Sequence, residues 1–189
     1  MAMKSKVKPD DFYVALLRGI NVGGKNKLSM AHLAAMFEGA GCSHVKTYIQ
    51  SGNVVFRATE SRASRMPGVI TKSIADGFGL RVPVIMRQAS ELRAVARGNP
   101  FLRDGADLKT LHVMFLADSP DAAKVKALDP KRSPPDAFEV RGREIYLRCP
   151  NGAARTKLTN EYFDTRLATT STMRNWNTVL KLVEMVGEK

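Results

Sequence analysis

The residues best suited to chemistry lie in one glycine-rich stretch, Gly19-Ile20-Asn21-Val22-Gly23-Gly24-Lys25-Asn26. Its spacing nearly matches G-x-x-x-x-G-K-[ST]. In that pattern glycines let backbone N–H groups turn toward a phosphate, and the lysine adds charge. The closing hydroxyl residue, which would hold Mg²⁺, is replaced by Asn26. The next helix is expected to begin only at Ser29, which leaves Lys25 on a loop. A nucleoside triphosphatase would further need a parallel sheet, and the hairpins read below argue against one. Asp118 ends an apolar run and could stand as an acidic strand-end partner, but helix capping accounts for it. What remains is a looser anion-binding loop, Arg18 to Lys27, or a wide turn whose glycines serve backbone shape alone.

Two further polar clusters stand out. Gln50, Ser51 and Asn53 surround a turn, where Asn, Ser and Gly are favoured in any case. Residues 169–177 read TTSTMRNWN. Here Thr172 is expected to cap the last helix, with Arg174, Asn175 and Asn177 in a first turn whose free N–H groups favour anions. Trp176 among them reads as a core anchor. Ser, His and Asp do not assemble into a triad setting, and paired carboxylates are no better placed. Cys42, Cys149 and the scattered His32, His44 and His112 lack metal-ligand spacing, so neither a metal nor a cofactor is expected, and the thiols are expected to be reduced.

The elements that must position these residues follow from hydrophobic period and punctuation. Phe12–Leu17 is a continuous apolar run, as in a strand buried on both faces. Ser29 caps a helix through Glu38, which Gly39 and Gly41 stop. Val45–Ile49 and Asn53–Arg57 are strands around the turn Gln50-Ser51-Gly52. A helix within Ser64–Phe78 starts near Pro67, and Val82–Met86 is a fourth strand. The order β-α-β-β-α-β is that of a ferredoxin-like unit. After a helix at Ser90–Arg97 the order restarts: strand Leu111–Ala117, a helix capped by Asp118, a hairpin of Ala137–Arg141 and Glu144–Arg148, and a helix from Thr156 or Lys157 to Leu167. A terminal helix, Thr172–Val186, ends the chain. The fold class expected is α+β, with two ferredoxin-like halves (1–98 and 99–189), antiparallel sheets and a C-terminal helix. The end of the first strand and the start of the third should share one sheet edge, bringing Arg18–Lys27 near Gln50–Asn53.

Charge narrows the partners. The 189 residues carry 30 Lys/Arg against 18 Asp/Glu, a net +12. Residues 1–100 hold 15 against 6, or +9, and residues 101–189 hold 15 against 12, or +3. Such a basic half attracts phosphates, nucleic acid or anionic metabolites. An RNA-recognition motif would need stacking rings on its central strands, but the third strand reads SGNVVF, with valines at those positions. No apolar run approaches the ~20 residues of a membrane span, and the basic start Met1–Pro9 is not a secretory signal. A cytoplasmic protein without membrane contact is expected, and oligomeric state is not legible.

ALLRGINVGGKNKLSM (15–30), TYIQSGNVVF (47–56), NPF (99–101), KLTNEYF (157–163) and TMRNWNTVLKL (172–182) together resemble the bacterial family catalogued as domain of unknown function 1697. The resemblance covers nearly the whole chain and implies two ferredoxin-like α+β halves, with no activity attached. Its motif residues here are Arg18, Gly19, Asn21, Gly23, Gly24, Lys25, Gln50, Ser51, Gly52, Asn53, Lys157, Arg174, Asn175, Trp176 and Asn177. Three functions are compatible with these readings. The leading one is binding of a phosphate-bearing ligand, nucleotide or nucleic acid, at the basic loop. The second is an enzyme acting on a small anionic substrate in a cleft between the halves. The third is a scaffold whose Arg174, Asn175 and Asn177 are consumed by internal hydrogen bonds.

Overall fold

The structure, a computed structural model, describes residues 10–103 and 105–187. The basic start, Met1–Pro9, lies outside the described residues. The first half runs β1 (Asp11–Leu17), α1 (Met30–Gly39), β2 (Ser43–Tyr48), β3 (Asn53–Ala58), the short α2 (Glu60–Ala63), α3 (Met66–Phe78) and β4 (Val84–Gln88). These strands form an antiparallel sheet of order β2-β3-β1-β4. After α4 (Ala89–Arg97) the second half repeats the plan with β5 (Leu111–Leu116), α5 (Ala122–Lys126), β6 (Ala137–Arg141), β7 (Glu144–Arg148), α6 (Asn160–Leu167) and β8 (Ser171–Asn175), in the order β6-β7-β5-β8. The chain closes with α7 (Trp176–Met185). Both halves are ferredoxin-like, and the fold is α+β.

The alternation of side chains along the central strands explains their unbroken apolar runs. Tyr13, Ala15 and Leu17 of β1 face a core shared with α1 and α3. Val14 and Leu16 face the opposite way, into a second core with Val113 and Phe115 of β5. Met114 and Leu116 of β5 turn to a third core against α6. Each sheet therefore carries its own helices on one face and shares the other with its twin. Helices α4 and α7 close the shared core with Leu92, Val95, Trp176, Val179 and Leu182. Trp176 is 1% exposed. Burial of each such large apolar side chain stabilises the fold by roughly 1.5–3 kcal/mol.

Three sequence expectations are corrected at element ends, and one is that α6 opens not at Thr156 or Lys157 but at Asn160, capped by Thr159. The terminal helix does not begin at Thr172: Ser171–Asn175 is a strand paired with β5, and Asn175, whose Oδ1 accepts from Thr178 N at 2.8 Å, is the true cap of α7. The cap of α5 is Asp121, not Asp118. Asp121 Oδ1 accepts from Ala123 N at 2.8 Å and Lys124 N at 3.2 Å, whereas Asp118 donates its own N–H to Thr169 Oγ1 at 3.3 Å. Ser29 caps α1, accepting from His32 N at 3.1 Å.

The halves correspond residue by residue where they are regular. Val14 pairs with Arg87 as Val113 pairs with Arg174, and Leu16 pairs with Asn53 as Phe115 pairs with Glu144. The loop bonds repeat as well. Leu17 N donates to Gly52 O at 2.8 Å and Leu116 N to Arg143 O at 2.9 Å. Arg18 N donates to Pro83 O at 3.0 Å and Ala117 N to Thr170 O at 2.8 Å. This internal two-fold gives each position of one half a counterpart in the other.

Candidate functional site

Twelve residues, 18–29, connect β1 to α1, whereas five, 117–121, connect β5 to α5. The extra length folds into a small hairpin. Val22 bridges Lys25, and Lys25 N donates to Val22 O at 3.0 Å. Gly23 and Gly24 occupy the two central positions with φ of 58° and 76°, the left-handed pair that a type I′ turn requires. A Cβ on either would meet nothing within 4 Å, so these glycines answer backbone shape and not a close approach.

The base of the hairpin is pinned. Ile20 and Leu28 are buried, 1% and 2% exposed. Asn21, itself at φ 54°, donates from Nδ2 to Leu28 O at 2.8 Å and Gln50 O at 2.9 Å, and its Oδ1 accepts from Leu28 N at 2.9 Å. Asn26 Nδ2 donates to Gly19 O at 2.8 Å. On this base Val22, Gly23, Gly24, Lys25, Asn26 and Lys27 are exposed. The ammonium groups of Lys25 and Lys27 have no ion-pair partner among the described residues. Arg18, at the edge of the loop, is ion-paired to Asp164 of α6.

The bond from Asn21 to Gln50 ties this hairpin to the turn between β2 and β3. That turn has four residues, 49–52, against two, 142–143, in the second half. Gln50 is exposed, beside an Ile49 that is 49% exposed. At this end of the sheet the first half thus departs from its twin in two insertions, and these touch.

Arg174 lies beneath the turn and is buried, 8% exposed. From β8 of the second half its guanidinium crosses to the first. Nη2 donates to Leu17 O at 2.7 Å, Ser51 O at 3.1 Å and Gly52 O at 3.3 Å. Nε donates to Asn53 Oδ1 at 2.5 Å, and Nη1 to Thr172 Oγ1 and Met173 O, each at 2.8 Å. Asn53 is oriented by donating from Nδ2 to Tyr48 O at 3.1 Å and Ser51 Oγ at 3.0 Å. Burial pushes the Arg174 guanidinium down to about 10.

Arg87 of β4 makes the two-fold-related clasp. It donates to Leu116 O at 2.8 Å, Arg143 O at 2.9 Å and Met86 O at 2.7 Å, counterparts of Leu17, Gly52 and Met173. Its Nε donates to Glu144 Oε1 at 2.8 Å, where the other clasp has neutral Asn53. Burial lowers its pKa, and the Glu144 carboxylate opposes the shift. No sequence pattern marked Arg87. Its only signal is an arginine that directly follows the apolar residues Val84–Met86 within β4.

The structure therefore gathers Arg18, Gly19, Asn21, Gly23, Gly24, Lys25, Gln50, Ser51, Asn53 and Arg174 at one end of the first sheet, in different roles. Lys25 and Gln50 present exposed side chains. Asn21 and Asn53 are internal braces, and Arg174 is buried. Asn175 spends its side-chain oxygen on the cap of α7, while Asn177 is exposed on that helix. Cys42 and Cys149 are free and buried. Among the described residues no group of three or more His, Cys, Asp or Glu could hold a metal, and no helix is long and apolar enough to cross a membrane.

Concave space lies elsewhere. A cavity of about 670 Å³ runs along α3 and β4 to Ala117 and Thr170 of the second half, with Lys72 and Arg81 as its ionisable lining. Lys72 is paired to Asp76 at 2.5 Å. A second cavity, of about 350 Å³, collects Glu60, Glu91, Arg87 and Arg143, and the last is ion-paired to Glu91.

Fold and site define a pseudo-symmetric protein of two ferredoxin-like halves, with a braced basic hairpin on one half alone. The chain belongs to the family described as protein of unknown function (DUF1697), whose model matches residues 11–146. Its fold is shared by a conserved bacterial protein, SP0830 of Streptococcus pneumoniae. The TM-score is 0.73 and the identity 24%, over 94% of this chain and 99% of that one. No curated protein matches the sequence.

Proposed function

We propose that the protein binds the phosphate backbone of a nucleic acid through the hairpin Asn21–Asn26 and the adjoining Lys27. The observation that carries this reading is the departure from internal symmetry. Where the second half has a short linker with two acids, Asp118 and Asp121, the first half has a braced, projecting loop with Lys25 and Lys27 exposed. A convex, rigid, basic projection suits a linear polyanion, which it can touch without enclosing. A mononucleotide is better held in a concave site. Net charge of +9 in residues 1–100 favours the same partner.

A second reading, a small anionic substrate held between the halves, draws on the cavity along β4 with Arg81 at its wall. Its ionisable lining is two cations, which can hold an anion but do not make an acid–base pair.

Fluorescence anisotropy with a labelled single-stranded RNA, its DNA equivalent and a labelled ATP tests the choice at 50 and 200 mM salt. Binding of the oligonucleotides should weaken with salt, and ATP should bind far more weakly. The double variant Lys25→Ala/Lys27→Ala should lower the log–log salt slope by about 1.4, the share of two phosphate contacts on a single strand. No oligonucleotide binding at 50 mM salt, or binding that the double variant leaves unchanged, overturns the proposal.

A further inference from the structure

The two arginine clasps are alike in geometry and unlike in charge. Arg87 donates to three carbonyls of matching position and to a carboxylate, so the Arg87–Glu144 clasp is neutral. Arg174 donates to carbonyls, a hydroxyl and an amide oxygen, and no carboxylate among the described residues pairs with it. Carbonyl dipoles solvate a guanidinium but leave its net charge in place. Three of the acceptors, Leu17 O, Ser51 O and Gly52 O, adjoin the hairpin and its neighbouring turn.

We infer that Arg174 is a buried field source for the hairpin surface: its unneutralised charge holds the Gly19–Lys27 and Ile49–Gly52 end of the molecule electropositive, and Asn53, standing where the twin clasp has Glu144, keeps it so. The inference rests on the reading of the hairpin as a polyanion-binding surface and adds to it a positioning residue that no ligand touches. Water does not screen a buried charge locally, so its field emerges where the low-dielectric path is shortest. Here that path leads through Ser51 and Gly52 to Gln50 and Asn21. The twin clasp sends out no such field, and the linker above it carries Asp118 and Asp121.

Three variants and one probe test this. Asn53→Asp places a carboxylate on Arg174 Nε and converts the clasp to the chemistry of its twin. Arg174→Lys retains the charge and loses the planar fork, whereas Arg174→Gln loses both. The probe is Gln50→His, whose exposed imidazole reads the local potential by NMR titration with no ligand present. In the Gln50→His background, Asn53→Asp and Arg174→Gln should each raise the imidazole pKa by about half a unit or more, and Arg174→Lys should leave it near the parent value. Oligonucleotide affinity at 50 mM salt should fall about threefold or more in Asn53→Asp and Arg174→Gln, and hold in Arg174→Lys, with circular dichroism showing each variant folded. A purely structural role makes Arg174→Lys and Arg174→Gln alike in both readouts, and that result overturns the inference. If the Arg174 variants do not fold, Asn53→Asp with the probe decides, and an unmoved imidazole overturns it. Loss of binding in Lys25→Ala/Lys27→Ala together with full binding in Asn53→Asp sinks the field source and leaves the hairpin reading standing. Absent binding by the parent protein sinks the hairpin reading, while the probe still measures the field.

Discussion

Gly52 and Gly23 share a positive φ and should answer substitution differently. At Gly52, φ 75°, a Cβ would lie 2.7 Å from Leu17 Cβ and 2.8 Å from Ile20 Cδ1, both on buried residues that cannot withdraw. Overpacking and left-handed strain then add, and Gly52→Ala should cost about 3 kcal/mol. Gly23→Ala meets open space and carries the backbone strain alone, about 1–2 kcal/mol. Urea unfolding of the two variants measures the difference, and equal costs would show that the β2–β3 turn is not packed against the loop base. Buried thiols set a second expectation. Burial pushes Cys42 and Cys149 up from the ordinary 9.0 to about 11. The unfolded chain gives up these protons near pH 9 while the folded chain keeps them. Stability should therefore be intact below pH 9 and decline as pH rises toward 11. Cys149→Ala should make the alkaline decline shallower in melting curves taken between pH 8 and 11. An unchanged slope would assign the decline to other groups.

At the scale of the element, the hairpin's order depends on one amide. Asn21 satisfies Leu28 N, Leu28 O and Gln50 O, so Asn21→Ala should free the hairpin from the turn. Each lost bond is worth about 1 kcal/mol, but the exposed groups regain water, so global stability should fall by only about 1–2 kcal/mol. Hydrogen exchange at Leu28 should quicken, and oligonucleotide affinity should fall through disorder of Lys25 and Lys27, despite the unchanged charge. Slow exchange at Leu28 in the variant would contradict the bracing role. The sequence made this loop legible through its glycines, and it made the ferredoxin-like order legible because β1, β3 and β5 are apolar on both faces. The strand β8 escaped because STMRN is polar. It is polar because Thr172 and Arg174 face the clasp and Asn175 caps the next helix. Hydrophobic period finds strands that bury apolar side chains, and this strand buries a guanidinium. The role of Arg174 was equally hidden, since its acceptors are mostly backbone carbonyls that any residue supplies, and four of the six lie more than 120 positions away in the chain. Arg87 and its clasp became visible only through the internal symmetry.

At the scale of the whole molecule, the two sheets should unfold together. The inner face of each packs against the other half and under α4 and α7. Val14, Leu16, Val55 and Ile85 of the first meet Val113, Phe115 and Tyr146 of the second, under α4 and α7. Separation would expose both faces to water, and the lost apolar burial is its main cost, because the freed arginines and their acceptors regain hydration. Thermal unfolding should therefore show one transition, in which the far-ultraviolet circular dichroism of all eight strands and the fluorescence of the single Trp176, seated in the shared core, change at the same midpoint. Arg87→Leu and Arg174→Leu should each lower that midpoint without splitting the transition. Two separated transitions in the parent protein, or a fluorescence midpoint apart from the circular dichroism midpoint, would mean that the clasps join two independently stable units. In that case the hairpin's potential could be altered by movement between the halves. With a single transition, the charge of Arg174 is a fixed property of the native fold, present whenever the hairpin is.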